Sequence, residues 1–334
     1  MKKTVLSIFF SILISVSFSQ SFLSQYEFNN ILINPANTGN FRGHFRTGVL
    51  HRSEGAGLTG NVTNSSFFFE TKLLKKLLKE TDQLSIGVTG IGEKNPFDGI
   101  KNSFLLISGS FQKGLNEDGS EKIVIGFQSG FSNRRIEPPL YIFESQLNRW
   151  ISSGFVGLDP TQAQTINIGY NDLNTGIVYE LNNINKIRLR VGATFAHINS
   201  PYKPFNGGVF SLSMKTSFQI EIEKTYSSQN KVVISLIKNN LQNNDYSGLG
   251  LLYNIKIPYK NYLWGIGMNF RSSKTYGEAI IPKTHILFNT FSINLSYDIP
   301  LQNSSFFQQN AFEIGLSYIG LTPLMVRKTL KNTK

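Results

Sequence analysis

The chain has 334 residues, with 33 Lys and Arg against 21 Asp and Glu, four His and no Cys. Charged residues make up only 16%, below the roughly 25% of an ordinary soluble domain, while 27 Phe, 13 Tyr and 29 Gly are abundant. The lack of cysteine excludes a disulfide framework and a thiolate metal site. The formal charge of +12 is spread along the sequence, without the clustered basic stripe expected of a protein that binds nucleic acid.

Residues 1–19 read as a secretory signal. Lys2 and Lys3 form a basic start, Val5 to Val16 is apolar apart from serines, and Ser17 and Ser19 are spaced for cleavage before Gln20. That apolar stretch is short of the ~20 residues needed to span a bilayer as a helix. Residues 20–40 precede the first predicted strand. Within them Asn34-Pro35 favours an extended or turn conformation, and Gly39 gives the chain freedom to turn.

From residue 41 onward the dominant signal is period-two alternation over about nine to thirteen residues, the length that a tilted transmembrane strand needs. The pattern predicts strands at 41–52, 60–70, 83–92, 102–112, 121–133, 173–182, 186–198, 208–223, 230–238, 248–256, 261–271, 284–298 and 309–320. The clearest, 208–223, sets Phe210, Leu212, Met214, Phe218, Ile220 and Ile222 against Ser211, Ser213, Lys215, Ser217, Gln219 and Glu221. In 261–271, Tyr262, Trp264, Ile266, Met268 and Phe270 alternate with Gly265, Gly267, Asn269 and Arg271. Leu115 to Ser120 and Asn182 to Asn185 read as tight turns, and 134–160 as a long irregular loop. Lys72 to Glu80, with Leu73, Leu74, Leu77 and Leu78 on one helical face, reads as a short helix, either a solvated turn helix or a basic helix on the membrane surface. Residues 321–334 form a basic tail.

One face of each strand suits hydrocarbon and the other a wet lumen, because lipid offers no partner to an exposed polar group. A soluble β-sandwich would show strands about half as long. Phe41, Phe111, Phe131, Tyr297 and Tyr318, near strand ends, fit the aromatic girdles of outer-membrane barrels. The fold expected is therefore all-β: a single transmembrane antiparallel β-barrel over 41–320, with about 12–14 strands. Barrels of this kind have an even strand number, so the thirteen strands require a fourteenth, placed at Ala163 to Tyr170.

Nothing in the sequence points to catalysis, a metal or a cofactor. His44, His51, His197 and His285 lie in no metal-ligand spacing. His285 and Asp298 fall on one predicted strand, roughly 40 Å apart if extended. His197-Ile198-Asn199-Ser200 holds triad residue types, but triads assemble from residues distant in sequence.

The most specific stretch is Ser24-Gln25-Tyr26-Glu27-Phe28-Asn29-Asn30-Ile31-Leu32-Ile33-Asn34-Pro35-Ala36-Asn37-Thr38-Gly39. It resembles the opening of the PorP/SprF family of Bacteroidetes type IX secretion proteins, with Ser24, Gln25, Tyr26, Asn34, Pro35 and Gly39 carrying the likeness. Asp172 to Tyr179, Val191 to His197 with Pro201, Ser296-Tyr297-Asp298, and Phe312-Glu313-Ile314 with Tyr318 are similar to later strands of that family. The chain departs from the family pattern at Ile31-Leu32-Ile33, at Asn37 and at His51-Arg52-Ser53-Glu54. The resemblance implies an outer-membrane component of type IX secretion or gliding that binds the C-terminal domain of a secreted adhesin. It further implies contact with other secretion components, a peptidoglycan-linked periplasmic complex among them, and with outer-membrane lipid. On the residues alone, Gln20 to Gly39 is open to two readings, a plug that closes the barrel or a docking segment, and the barrel itself could be a porin-like or solute-transporting channel.

Overall fold

The computed structural model describes residues 23–55, 61–74, 77–96, 99–137, 165–183, 185–205, 208–227, 230–240, 246–256, 262–273, 277–301 and 310–321. The expected signal peptide, most of the expected tail and most of the 134–160 loop lie outside them. Two single-turn 3-10 helices, Asn30–Leu32 and Pro35–Asn37, come first. Strands follow: β1 Phe45–Glu54, β2 Val62–Leu73, β3 Gln83–Asn95, β4 Ile100–Gly114, β5 Glu121–Ile136, β6 Ile166–Asn183, β7 Ile187–Ala196, β8 Tyr202–Phe205, β9 Gly208–Ser211, β10 Lys215–Thr225, β11 Lys231–Asn240, β12 Tyr246–Lys256, β13 Tyr262–Ser273, β14 Ala279–Phe288, β15 Phe291–Pro300 and β16 Ala311–Gly320. All but β8 and β9 pair antiparallel into a closed barrel of 14 strands, and β16 returns to β1 with Phe45 opposite Gly320. Closure leaves no sheet edge exposed to lipid, as a membrane barrel requires.

The side-chain sorting is inverted relative to a soluble protein. Val49, Phe67, Leu105, Ile107, Phe127, Phe218, Leu251 and Ile266 face outward and are exposed, while Arg52, Glu70, Ser85, Thr89, Asn269, Asp298 and Glu313 are buried inside. Among the described residues no helix is long and apolar enough to cross a membrane; the strands do so. Aromatic rings gather at the end where the barrel sequence begins and finishes. There Phe45 lies 6.0 Å from Phe69 and 5.9 Å from Tyr318, and Tyr262 stacks on Phe288 at 4.7 Å.

Fourteen is even, so β1 starts and β16 finishes at one end, here the terminal end. Connections at that end run over 74–82, 115–120, 184–186, 226–230, 257–261 and 289–290. Those at the opposite, loop end include 137–165 and 197–214, the longest in the chain. Short turns at one end and long loops at the other are the arrangement of outer-membrane barrels.

Several expected elements are corrected. The fourteenth strand is not a separate one at 163–170: residues 166–170 of that stretch open β6, which is continuous from Ile166 to Asn183. The expected strand 284–298 instead spans the β14–β15 hairpin. The expected strand 208–223 is broken at 212–214: β9 pairs with β8 outside the barrel, and β10 begins at Lys215. Leu212 consequently turns inward, 6% exposed, away from the lipid-facing row of Phe218, Ile220 and Ile222. The described part of 72–80 is not a helix: β2 runs to Leu73, Leu74 has φ 51°, and the Leu77 N–H donates to the Leu74 carbonyl. The left-handed residue ends any right-handed helical run. Phe41 stands outside β1, which begins at Phe45, with Arg46 and Lys72 over its ring.

Candidate functional site

The lumen is occupied by residues 23–40, which cross it and touch wall strands on many sides. The first anchor is Ser24. Its N–H donates to Glu313 Oε1 (2.6 Å), and its hydroxyl donates to Asp298 Oδ2 (2.6 Å) and accepts from Arg52 Nη1 (2.6 Å). Gln25 N–H donates to the other oxygen of Glu313 (2.9 Å), and its amide donates to Ser296 Oγ (3.1 Å). Arg52 also reaches Asp298 at 2.9 Å and Glu313 at 3.1 Å, and Arg271 reaches Asp298 at 2.8 Å. Two guanidiniums thus face the nearly inaccessible carboxylates of Asp298 and Glu313, Arg52 also reaches Glu54 at 2.9 Å, and the backbone of the segment supplies two N–H donors to Glu313.

The chain then crosses the lumen. Tyr26 packs against Ile237 and Tyr246, and its hydroxyl lies 2.8 Å from Ser235 Oγ. Glu27 accepts from Ser235 Oγ (2.9 Å) and from Lys283 Nζ (2.8 Å). Phe28 meets Phe68 edge-on at 5.5 Å, within an apolar cluster with Leu23, Ile31, Leu50 and Ile91. This small dry core lies inside the barrel, a place where alternation alone would put only polar groups.

Asn34-Pro35-Ala36 forms the second anchor. Asn34 is extended, its side chain accepts from Ala36 N–H (2.9 Å), and Pro35 opens the 3-10 turn. This is the asparagine cap with proline at the first helical position. The Asn34 amide donates to the carbonyls of Ile177 and Ala193, and Thr194 Oγ1 donates to the Ile33 carbonyl. The wall admits the turn because Gly126 and Gly176 face each other across β5 and β6. A Cβ on Gly176 would come 2.0 Å from Asn34 Oδ1, and one on Gly126 2.2 Å from the Ala36 nitrogen.

Asn37 and Gln219 exchange amide hydrogen bonds at 3.2 Å, and Arg190 donates to Asn37 Oδ1 at 3.0 Å. Thr38 donates to Ser108 Oγ (2.9 Å) and accepts from Ser110 Oγ (2.6 Å) at its carbonyl. Gly39 adopts φ 81° and donates to Glu70 Oε2 (2.6 Å), a carboxylate also held by Arg46. All six residues singled out from the sequence, Ser24, Gln25, Tyr26, Asn34, Pro35 and Gly39, therefore lie in this lumenal segment. Of their partners, Asp298, Glu313 and Gly176 fall in stretches that carry the family resemblance, Arg52 in one that departs from it, and Arg271 and Gly126 in predicted strands, but nothing in the sequence pairs any of them with this segment. The signal available in the sequence was a charge, or a pair of glycines, on the inward-facing positions of the strands.

The segment separates two chambers. That at the loop end, about 180 Å³, is lined by Tyr26, Phe104, Gln128, Asp172, His197 and Lys215, among others. His197 Nδ1 lies 2.7 Å from Asp172 Oδ1, and its N–H donates to Asn174 Oδ1 at 2.9 Å. That at the terminal end, about 360 Å³, is lined by Glu27, Lys231, Asn254, Lys283, His285 and Asn294, among others. His285 and Asp298 are not 40 Å apart as one extended strand would place them. They share the β14–β15 hairpin, where His285 faces Asn294, four residues from Asp298 or roughly 13 Å. Among the described residues no three His, Asp or Glu side chains are grouped to hold a metal ion.

The profile of a family described as "Type IX secretion system membrane protein PorP/SprF" matches residues 15–318. No curated protein matches the sequence. Among solved structures, the Ralstonia pickettii toluene transporter TbuX superposes with a TM-score of 0.55 at 9% identity, covering 87% of this chain and 93% of that one. A TodX monoaromatic hydrocarbon channel mutant gives 0.53 at 12% identity, covering 91% and 97%. The CymD monoaromatic hydrocarbon channel gives 0.52 at 10% identity, covering 91% and 94%. At these identities the likeness is one of fold, an outer-membrane β-barrel.

Proposed function

The chain belongs to the PorP/SprF family of type IX secretion system membrane proteins, and from that premise we propose that it assists export of a secreted partner protein and holds it at the cell surface by binding its C-terminal domain. It acts by binding, without catalysis and without a cofactor. The observation that carries this reading is the lumen filled by residues 23–40. A barrel whose interior is crossed by its own chain, anchored at Ser24 and at Asn34-Pro35, is suited to present surfaces at its two ends more than to conduct solute.

With the short turns toward the periplasm, the long connections and the 180 Å³ chamber face outward, where an exported adhesin would be held. The 360 Å³ chamber then faces the periplasm, where other secretion components and a peptidoglycan-linked complex would dock. Export by a signal peptide cleaved near Ser19/Gln20 and a role in gliding belong to the same reading. A pull-down from native outer membranes with the barrel as bait tests it. Recovery of a secreted protein through its C-terminal domain is expected; recovery of neither a secreted protein nor a secretion component would overturn the reading.

A second reading is a solute channel, favoured by the shared architecture with the hydrocarbon channels. Proteoliposome swelling in small sugars separates the two: swelling at the rate of lipid alone fits the plugged adaptor, and rapid swelling fits the channel.

A further inference from the structure

Three cations cross β3, β4 and β5 on the outward face at the loop end. Lys94 stands directly opposite Lys101, and Lys101 directly opposite Arg135. Such positions lie about 5 Å apart, and like charges placed there oppose pairing. All three belong to the outward set of their strands: Lys94 is exposed, the side chains of Lys101 and Arg135 are 41% and 49% accessible, and Leu105 and Phe131 project on the same face.

Among the described residues, one carboxylate stands with them. Glu137, just past the end of β5, lies 2.6 Å from Lys101 and 3.2 Å from Arg135. Its hydrogen bond from Lys101, with the fields of Lys101, Arg135 and Lys94, holds its carboxyl below the usual range. Among the described residues, three cations stand against one anion here, a positive balance with a pair of charges for an outside anion to meet.

The height of the patch says what kind of anion. One step down the strands, the outward residues are Gly92, Ser103 and Asn133, small or polar. A further step down brings Leu105 and Phe131, then Ile107, the start of the lipid-facing band. From Lys101 to Leu105 is roughly 13 Å along a tilted strand, so the cations sit where acyl chains give way to headgroups.

We propose that Lys94, Lys101 and Arg135 bind the phosphates of an outer-leaflet phosphoglycolipid of the lipid A class, a diphosphorylated, acylated glucosamine disaccharide. Arg135 presents the planar fork suited to phosphate and the lysines supply point charges, while acyl chains lie over Leu105, Ile107 and Phe131. This goes beyond the secretion reading and rests on it only for the outward placement of the loop end.

The test is native mass spectrometry of the full chain in detergent, titrated with diphosphorylated lipid A, dephosphorylated lipid A and phosphatidylglycerol. The wild type is expected to retain one diphosphorylated lipid A at least tenfold more tightly than either of the others. The triple variant Lys94→Gln, Lys101→Gln, Arg135→Gln is expected to lose at least tenfold of that affinity. Lys113→Gln, an exposed lysine at the other end, is expected to lose none. If the triple variant does not fold, Lys94→Gln alone, which leaves Lys101–Glu137–Arg135 intact, should still lose severalfold. Unchanged binding by the folded variant overturns the site, as does equal retention of phosphatidylglycerol. Retention of pyrophosphate alone as tightly as diphosphorylated lipid A would make the ligand a free phosphate and overturn the lipid assignment. Partner recovery in the pull-down is expected to be unchanged by the triple variant, so failure of the lipid site and failure of the secretion reading are read separately.

Discussion

Arg52 is the residue on which the plug's first anchor depends. It meets Ser24, Asp298 and Glu313, none of them adjacent in sequence, and is 2% exposed. Arg52→Met would leave two buried carboxylates with Arg271 as their nearest guanidinium. A loss of about 3–5 kcal/mol is expected, read as a lower urea midpoint for unfolding from detergent micelles, with partial recovery on adding Glu313→Leu. The second anchor depends on shape instead. Gly176→Val places atoms where Asn34 Oδ1 now lies, so the Asn34–Ala36 turn should leave its notch. Limited proteolysis should then cut within 23–40 in the variant and spare the wild type. At this scale the sequence revealed one side of each contact. Ser24, Asn34 and Pro35 stand in a compact stretch, whereas Glu313 lies 289 residues from Ser24 and carries no local mark of their meeting.

Among the elements, long alternating runs were legible because lipid on one face and water on the other leave a period of two in every strand. What failed were breaks that preserve the pattern. The β14–β15 turn consists of Asn289 and Thr290 between Phe288 and Phe291, with Asn289 at φ 54° and no glycine to signal it. The two strands on either side of it therefore read as one continuous run of alternation, 284–298, in the sequence. Asn tolerates the left-handed region where a β-branched residue does not. Asn289→Val is expected to cost about 1–2 kcal/mol and Asn289→Gly almost nothing, measured as urea midpoints. Leu74, also left-handed, broke the helix expected from the leucine spacing of 72–80, because spacing reports which face is apolar and not which φ the backbone adopts.

The whole molecule is a closed barrel that carries its own stopper. Closure was implied by strand length and sorting, since unpaired edges cannot stand in hydrocarbon. Occupation of the lumen was only one of two readings of residues 20–39, because inward-facing Ser, Asn, Arg and Glu suit a water-filled pore as well as a polar plug. The structure adds the apolar contacts of Phe28 and Ile31 with Leu50 and Phe68, which a wet pore would not assemble. The most direct measurement is steady current through the purified, full-length protein in a planar bilayer. With residues 23–40 seated between the two chambers, the intact chain should insert and pass almost no steady current. A stable ohmic conductance from the same preparation would contradict the plugged barrel.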